Sequence, residues 1–137
     1  MSEQENIKLV QQAYANFKSG DIEALPGLFS DDIQWQLPEV ENVPYAGRRQ
    51  GRQEVAGFFA SLAEAQDSLE FNPQEFIAQG EKVVATGQYQ WRTRETGRNF
   101  GGDWAHVFTI ENGKITGFHE YTDTAALARA FQKALSA

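Results

Sequence analysis

Residues 99–123 read NFGGDWAHVFTIENGKITGFHEYTD, and this stretch decides the fold. Apolar and polar side chains alternate on both sides of Glu111-Asn112-Gly113, which predicts two strands, Asn99–Ile110 and Lys114–Tyr121. Asn-Gly is the strongest short hairpin signal, because both central residues of a type I′ turn need a positive φ. The stretch therefore predicts an antiparallel hairpin.

Two further strands are predicted before this hairpin. Lys82–Arg94 is long and rich in β-forming residues, and a turn at Glu95-Thr96-Gly97 leads from it into the hairpin. Leu69–Gln79 is interrupted at Asn72-Pro73, which predicts a β-bulge or an edge strand, because proline cannot donate to a central ladder. We expect the last three strands to form an antiparallel meander.

Helical periodicity dominates the first third of the chain. Ser2 and Glu5 have the spacing of a capping box, and Ser19-Gly20 ends the amphipathic helix that follows. A second helical stretch covers about residues 22–29, and Pro26 is expected to break or kink it.

The remaining elements are shorter. Residues 33–37 alternate as a strand, residues 39–51 resemble a loop, and an amphipathic helix opens near Gly51. A closing helix is predicted from the apolar residues Leu127, Ala130, Phe131, Ala134 and Leu135, with Thr122 or Asp123 as its cap.

This order of elements predicts a single α+β domain over residues 1–137. Three helices packed on one face of a curved antiparallel sheet would form a cone with a pocket inside. Four glycines in strand context would help the sheet to bend: Gly87, Gly101, Gly102 and Gly117.

Composition excludes several classes of function. The 137 residues include 12 basic and 19 acidic side chains, a net charge of −7, and this balance argues against nucleic acid as a partner. The lack of cysteine excludes thiol catalysis. No apolar run approaches the ~20 residues of a membrane span, and no signal-peptide core is present, so we expect no membrane contact and a cytoplasmic location.

Three segments resemble the SnoaL-like branch of the nuclear transport factor 2-like superfamily: YANFKSGDIEALPGLFSDDIQW (14–35), PYAGRRQGRQEVAGFF (44–59) and AHVFTIENGKITGFHEYTDTAAL (105–127). The resemblance implies a cone-shaped α+β half barrel. The family includes polyketide cyclases, ketosteroid isomerases, epoxide hydrolases, dehydratases and binding-only domains, so the fold does not determine the reaction.

The catalytic patterns of two branches are not matched. Leu37 stands where the isomerase has its aspartate base. The Arg-x-Asp pair of the epoxide hydrolases falls on Gly87 and Tyr89, and their last-strand aspartate falls on Glu120. Cyclase-type chemistry needs a pocket acid or base, which Glu120 and His106 could supply.

Strand alternation predicts that Glu120 and His106 share one face. Ile110 and Phe118 should both face the core across the hairpin, which brings His106 and Glu120 to the same side. The predicted pocket walls are Tyr14, Trp35, Leu37, Tyr45, Phe59, Tyr89, Trp91, Trp104, Phe108 and Phe118. The alternative is that these side chains only fill a core.

The first functional hypothesis is a small-molecule enzyme of cyclase or isomerase type, acting on a hydrophobic carbonyl substrate by general acid–base chemistry without metal or cofactor. The second is a non-catalytic module that binds a hydrophobic small molecule or a partner. Arg48, Arg49 and Arg52 could bind an anion, although a solvated loop is the simpler interpretation. We also expect a homodimer through the outer sheet face at Gln88, Gln90, Arg92 and His119.

Overall fold

The computed structural model describes residues 2–132. Its elements are α1 (Glu3–Ser19), a 3-10 helix (Ile22–Leu28), β1 (Phe29–Gln36), β2 (Arg48–Gln50), α2 (Gly51–Ala65), β3 (Gln66–Gln79), β4 (Lys82–Thr93), β5 (Asn99–Glu111), β6 (Lys114–Thr122) and α3 (Thr124–Phe131). The six strands form one curved sheet in the order β2-β1-β6-β5-β4-β3. The α+β fold class is confirmed.

One strand pair departs from the antiparallel pattern. β1 runs parallel to β6, with Trp35 opposite Phe118, whereas the other neighbouring strands are antiparallel. A parallel pair needs a long crossover connection, and α2 together with four strands supplies it between β1 and β6. The sheet is therefore mixed and remains open.

The predicted meander of the last three strands is confirmed. Asn112 and Gly113 have φ of 51° and 76° at the hairpin turn, as the Asn-Gly pair predicts. β4 pairs with β5 along its whole length, and β5 pairs with β6 so that His106 lies directly opposite Glu120. This pairing fixes the relative position of the two predicted acid–base groups.

The first helix begins and ends as predicted. Ser2 Oγ accepts from the Glu5 N–H at 3.1 Å, Glu5 Oε1 accepts from the Ser2 N–H at 3.1 Å, and Gly20 ends the helix with φ 81°. The next segment differs from the prediction. It is a 3-10 helix that contains Pro26, because a short i→i+3 helix tolerates a residue without an N–H better than an α-helix does.

Residues 39–51 were predicted as a loop and include a short strand. β2 pairs with β1 at the sheet edge, with Arg49 opposite Trp35. Three residues are too few to show an alternating pattern, so the sequence contains no signal for β2. At the opposite edge, β3 has irregularities after Ser68 and Pro73, which confirms both the edge position and the bulge.

The closing helix is capped by Asp123, whose Oδ1 accepts from the Ala126 N–H at 3.0 Å. Its predicted continuation through Ala134 and Leu135 lies outside the described residues. None of the helices within residues 2–132 is long and apolar enough to span a bilayer.

The core lies between the concave face of the sheet and the helices. Inward and outward side chains alternate along β4, so that Val83, Ala85, Tyr89 and Trp91 are buried while Gln88 is exposed. The helices contribute the apolar residues Val10, Tyr14, Val55, Phe58, Leu62 and Leu127 to the same core. The concave face therefore presents a dense aromatic surface to the interior.

Candidate active site

The sheet and helices enclose a cavity of about 80 Å³. The walls are mainly aromatic and aliphatic, and apart from the indole N–H groups of Trp35 and Trp91 the polar atoms come from six side chains: Tyr14, Tyr45, Gln66, Tyr89, His106 and Glu120. A small number of polar groups in an apolar pocket is typical of a small-molecule site. Each of these six residues is less than 10% exposed.

Three of the polar side chains form a continuous hydrogen-bonded series. Tyr14 Oη lies 2.7 Å from His106 Nδ1, and His106 Nε2 lies 3.1 Å from Glu120 Oε1. Tyr14 comes from α1, whereas His106 and Glu120 are cross-strand neighbours on β5 and β6. The sheet thus supplies the two predicted acid–base residues, and the first helix supplies the third member of the hydrogen-bonded series.

The protonation of Tyr14 determines the direction of these hydrogen bonds. Burial raises the pKa of Tyr14, and the nearby Glu120 charge raises it further, so the phenol keeps its proton. In a neutral imidazole, Tyr14 then donates to Nδ1, and the ring hydrogen is on Nε2. The Nε2–H donates to Glu120, which makes the carboxylate the acceptor at the end of the series.

Tyr45 and Tyr89 are held neutral for the same reasons. Burial is the larger cause and the Glu120 charge the second, and both raise the pKa of each phenol. Tyr45 donates to Gln66 Oε1 at 2.8 Å, and Tyr89 Oη lies 2.5 Å from Thr122 Oγ1. The cavity therefore contains three protonated phenols around one carboxylate.

Packing holds the His106 ring in place. Trp104 stacks on it with ring centroids 4.1 Å apart, and Phe118 meets it edge-on at 4.7 Å. The Trp104 ring occupies space that Gly87 leaves open, because a Cβ at position 87 would lie 2.5 Å from Trp104 Cζ2. Gly87 therefore permits the stack that orients His106.

Eleven of the twelve predicted site residues line the cavity: Glu120, His106, Tyr14, Trp35, Leu37, Tyr45, Phe59, Tyr89, Trp91, Phe108 and Phe118. Trp104 is the exception. It lies behind Tyr14 and His106 rather than at the cavity surface, because its ring packs over Gly87. His119, predicted to face away from the pocket, stacks on the exposed Tyr121 outside.

Nine lining residues were not in the predicted set: Ala13, Phe17, Leu25, Phe29, Phe58, Leu62, Gln66, Phe71 and Leu127. Helical spacing marks Phe17 and Phe58 as apolar-face residues, so these two could have been included. Gln66 had no such signal, because it stands in the polar stretch Gln66-Asp67-Ser68, between the predicted helix and the strand predicted from Leu69.

The arginine cluster is occupied by contacts within the chain. Arg48 donates to Gln36 Oε1, Arg49 donates to the Ala46 carbonyl, and Arg52 donates to the Phe29 carbonyl. Arg52 also pairs with Asp31 at 2.7 Å. Within residues 2–132, no group of three or more His, Asp or Glu side chains could hold a metal ion.

Comparisons with known proteins agree with this architecture. The family profile of the SnoaL-like domain matches residues 10–118. A nuclear transport factor 2-like protein from Burkholderia xenovorans LB400 is 36% identical, covers 96% of this chain and 99% of its own, and superposes with a TM-score of 0.87. A similar protein from Burkholderia pseudomallei K96243 is 26% identical, with coverage of 97% and 100% and a TM-score of 0.84.

A third structure contains a ligand. TerC, co-crystallised with polyporic acid, is 27% identical, covers 93% of this chain and 98% of its own, and has a TM-score of 0.80. The comparison with curated proteins finds no significant match. The match over residues 10–118 and the 36% identity over nearly the whole chain lead to one conclusion: the chain belongs to the SnoaL-like domain family, within the nuclear transport factor 2-like fold.

Proposed function

We propose that this chain is a small-molecule enzyme that performs acid–base chemistry on a hydrophobic carbonyl compound, without metal or organic cofactor. One observation carries the proposal: Glu120 ends a buried hydrogen-bonded series through His106 to Tyr14 within an aromatic cavity. Apolar walls favour a substrate with little charge, and a carboxylate among them is suited to proton transfer.

Glu120 is the base in this proposal. Its Oε1 accepts from His106, and the carboxylate borders the cavity, where a substrate can reach it. The carboxylate removes a proton from the carbon next to the carbonyl. The C–H electron pair becomes the C=C bond of an enolate, the π pair of the carbonyl moves to its oxygen, and the proton is bound to Glu120.

Two outcomes follow from the same enolate. When the enolate is conjugated with a C=C bond, return of the proton from Glu120 to the γ-carbon gives an isomer. Attack of the enolate carbon on a second carbonyl closes a ring, and the proton from Glu120 passes to the resulting alkoxide. Both outcomes balance without an oxidant or reductant. His106 and Tyr14 act as positioning residues, because they hold the carboxylate in one orientation and fix the tautomer of the imidazole.

Deuterium exchange tests this proposal without knowledge of the natural substrate. The protein is incubated in D₂O with α-tetralone and 4-phenylcyclohexanone, and deuterium at the carbon next to the carbonyl is measured by mass spectrometry. We expect wild-type protein to accelerate exchange over buffer, and Glu120→Gln to lower that rate by about 100-fold or more. Gln keeps the shape and can still accept from His106, so the fold should be unaffected.

Glu111→Gln is the matched control, because Glu111 is exposed at the end of β5. It should exchange as fast as the wild type. Equal rates for Glu120→Gln and wild type would remove Glu120 from the mechanism. Wild-type exchange at the buffer rate with both ketones would contradict the enzymatic proposal.

A non-catalytic binding module is the second candidate. Two observations favour it: the 27% identical TerC was co-crystallised with polyporic acid, and the buried indole N–H of the cavity residue Trp35 has no partner among the described residues. Thermal unfolding with polyporic acid tests it. A ligand at 100 times its Kd stabilises by about 2.7 kcal/mol, which raises Tm by roughly 5–10 °C. Such a shift without any deuterium exchange would favour this candidate.

A further inference from the structure

A second concavity of about 380 Å³ lies next to the cavity, between the end of α1, α2 and the adjoining ends of β3 and β4. We call it the outer groove, and charged side chains such as Lys18 and Arg94 contribute to its lining. Six residues line both the cavity and the outer groove: Phe17, Phe59, Leu62, Gln66, Phe71 and Trp91. These six side chains form the boundary between the two spaces.

The boundary is aromatic and only half buried on its outer side. Phe17 packs on Phe59 and Phe71, with ring centroids 6.0 and 5.1 Å apart, and all three retain part of their exposure. These three are the least buried of the six boundary residues, since Leu62, Gln66 and Trp91 are each less than 10% exposed. The boundary is therefore the part of the cavity wall that a ligand can most readily open.

The volume of the inner cavity limits the size of ligand that fits inside it without crossing the boundary. A cavity of ~150 Å³ is known to accept benzene, and the inner cavity of about 80 Å³ is roughly half as large. A ligand with two or three rings must therefore extend through the boundary into the outer groove.

Gln66 is the polar residue of this boundary, and its orientation is fixed. Tyr45 donates to Gln66 Oε1 at 2.8 Å, and Tyr45 is packed edge-on against Phe58 and Phe131, with centroids 6.0 and 6.1 Å apart. Gln66 is 4% exposed, and the hydrogen bond recorded for its side chain within residues 2–132 is the one that Oε1 accepts from Tyr45. Because Oε1 is already an acceptor, the two N–H groups are the donors left for a ligand.

We propose that Gln66 is a specificity-determining residue whose Nε2–H donates to a carbonyl oxygen of an elongated, multi-ring ligand that passes from the cavity into the outer groove. Tyr45 is its positioning residue, because it holds the amide with the donors free. This deepens the proposed function and rests on it, since both place the ligand in the same cavity. The ligand class is a flat polycyclic quinone or ketone.

Two soluble probes measure how much the carbonyl oxygens contribute to binding. Anthraquinone-2-sulfonate and anthracene-2-sulfonate have the same three-ring skeleton and the same charge, and they differ in the two carbonyl groups. Equilibrium dialysis gives the ratio of their dissociation constants. We expect wild-type protein to prefer the quinone by about tenfold, the contribution of one buried hydrogen bond. We expect Gln66→Met to bring the ratio close to one.

Two further variants complete the test. Tyr45→Phe keeps the Gln66 amide but removes the hydroxyl that donates to it. The preference for the quinone should therefore fall to an intermediate value, while binding of anthracene-2-sulfonate is retained. Gln88→Met removes an exposed glutamine on the outer face of the sheet and should keep the wild-type ratio. A general loss of structure would weaken both probes alike, and only the loss of a directed hydrogen bond changes their ratio.

If Gln66→Met does not fold, the double variant Tyr45→Phe/Gln66→Met replaces it, because removing both partners of a buried hydrogen bond is close to neutral for stability. The proposal is overturned if the wild type binds neither probe, if it has no preference, or if the preference survives the loss of Gln66. Deuterium exchange is a separate readout. Exchange without a quinone preference contradicts this inference alone, whereas a preference without exchange contradicts the catalytic proposal alone.

Discussion

Tyr14 and His106 are 92 positions apart in the sequence, and their side chains meet with Tyr14 Oη 2.7 Å from His106 Nδ1. The contact joins α1 to the middle of the sheet. Because the phenol keeps its proton and donates it to Nδ1, the hydrogen of a neutral imidazole is on Nε2. Nε2 is the nitrogen that faces Glu120. The position of the first helix on the sheet therefore controls the chemistry available at the carboxylate.

Removal of the Tyr14 hydroxyl should weaken both the fold and the site. Tyr14→Phe leaves Nδ1 of a buried imidazole without a donor, at a cost of about 1–2 kcal/mol in the free energy of unfolding. The ketone exchange rate should fall by about tenfold, because the tautomer is no longer fixed. Urea unfolding measures the stability. Tyr121→Phe, which alters a 52% exposed tyrosine, is the control, and an equal cost for both variants would contradict a stabilising role of the Tyr14 hydroxyl.

Three buried tyrosines should make the fold sensitive to high pH. The folded-state pKa values of Tyr14, Tyr45 and Tyr89 are all raised, chiefly by burial, whereas an unfolded tyrosine ionises near pH 10. The folded chain therefore keeps protons that the unfolded chain loses above pH ~10. Their contribution to the free energy of unfolding is fully present below that pH and decreases above it.

The expected loss is about 1.4 kcal/mol per pH unit for each tyrosine, hence about 4 kcal/mol per unit for the three together. Urea unfolding at pH 9, 10 and 11 measures the slope. Tyr14→Phe should reduce the slope by about a third. An unchanged slope in that variant would show that the Tyr14 phenol ionises equally well in both states.

A pair of glycine substitutions should have opposite effects on stability. At Gly87 a Cβ would lie 2.5 Å from Trp104 Cζ2 and would collide with the Asn72 carbonyl oxygen, so Gly87→Ala must displace the ring that stacks on His106. We expect a loss of about 1–3 kcal/mol. Gly57 in α2 has open space at the same position, so Gly57→Ala should stabilise by roughly 0.5–1 kcal/mol.

Thermal unfolding measures both glycine variants, and the near-ultraviolet circular dichroism of the Gly87→Ala protein reports the displaced indole. Equal Tm values for wild type and Gly87→Ala would contradict the close packing of Trp104 over β4.

The outer face of the sheet is the expected homodimer contact. Gln88, Gln90 and Arg92 are exposed along β4, and Tyr121 is 52% exposed and stacks on His119 at 4.2 Å. Light scattering at micromolar concentration should give twice the mass of the chain. Tyr121→Glu should give the monomer mass, because it places a charge on that face. Gln53→Glu, on the exposed side of α2 and away from the sheet, should stay dimeric, and a monomeric wild type would contradict the expectation.

Local patterns were sufficient for much of the fold. The Asn112-Gly113 turn pairs Ile110 with Ile115, and a register shift between Thr109 and Ile110 then places His106 opposite Glu120. A regular ladder from the same turn would place His106 opposite His119, so the facing of the acid–base candidates depends on this irregularity as well as on the strand period of two. The sequence prediction put the two residues on one side because it assigned both Ile110 and Phe118 to the core.

Contacts between remote segments could not be derived in this way. The parallel pairing of β1 with β6, the contact of Tyr14 with His106 and the burial of Gln66 beside Tyr45 all depend on how a helix or loop packs onto a distant strand. The strands β4, β5 and β6, which include His106 and Glu120, could be derived from the amino-acid sequence, because antiparallel neighbours joined by short turns follow local periodicity. The contact of Tyr14 with His106 and the burial of Gln66 became apparent in the folded chain alone, because packing between remote elements depends on the shape of the whole core.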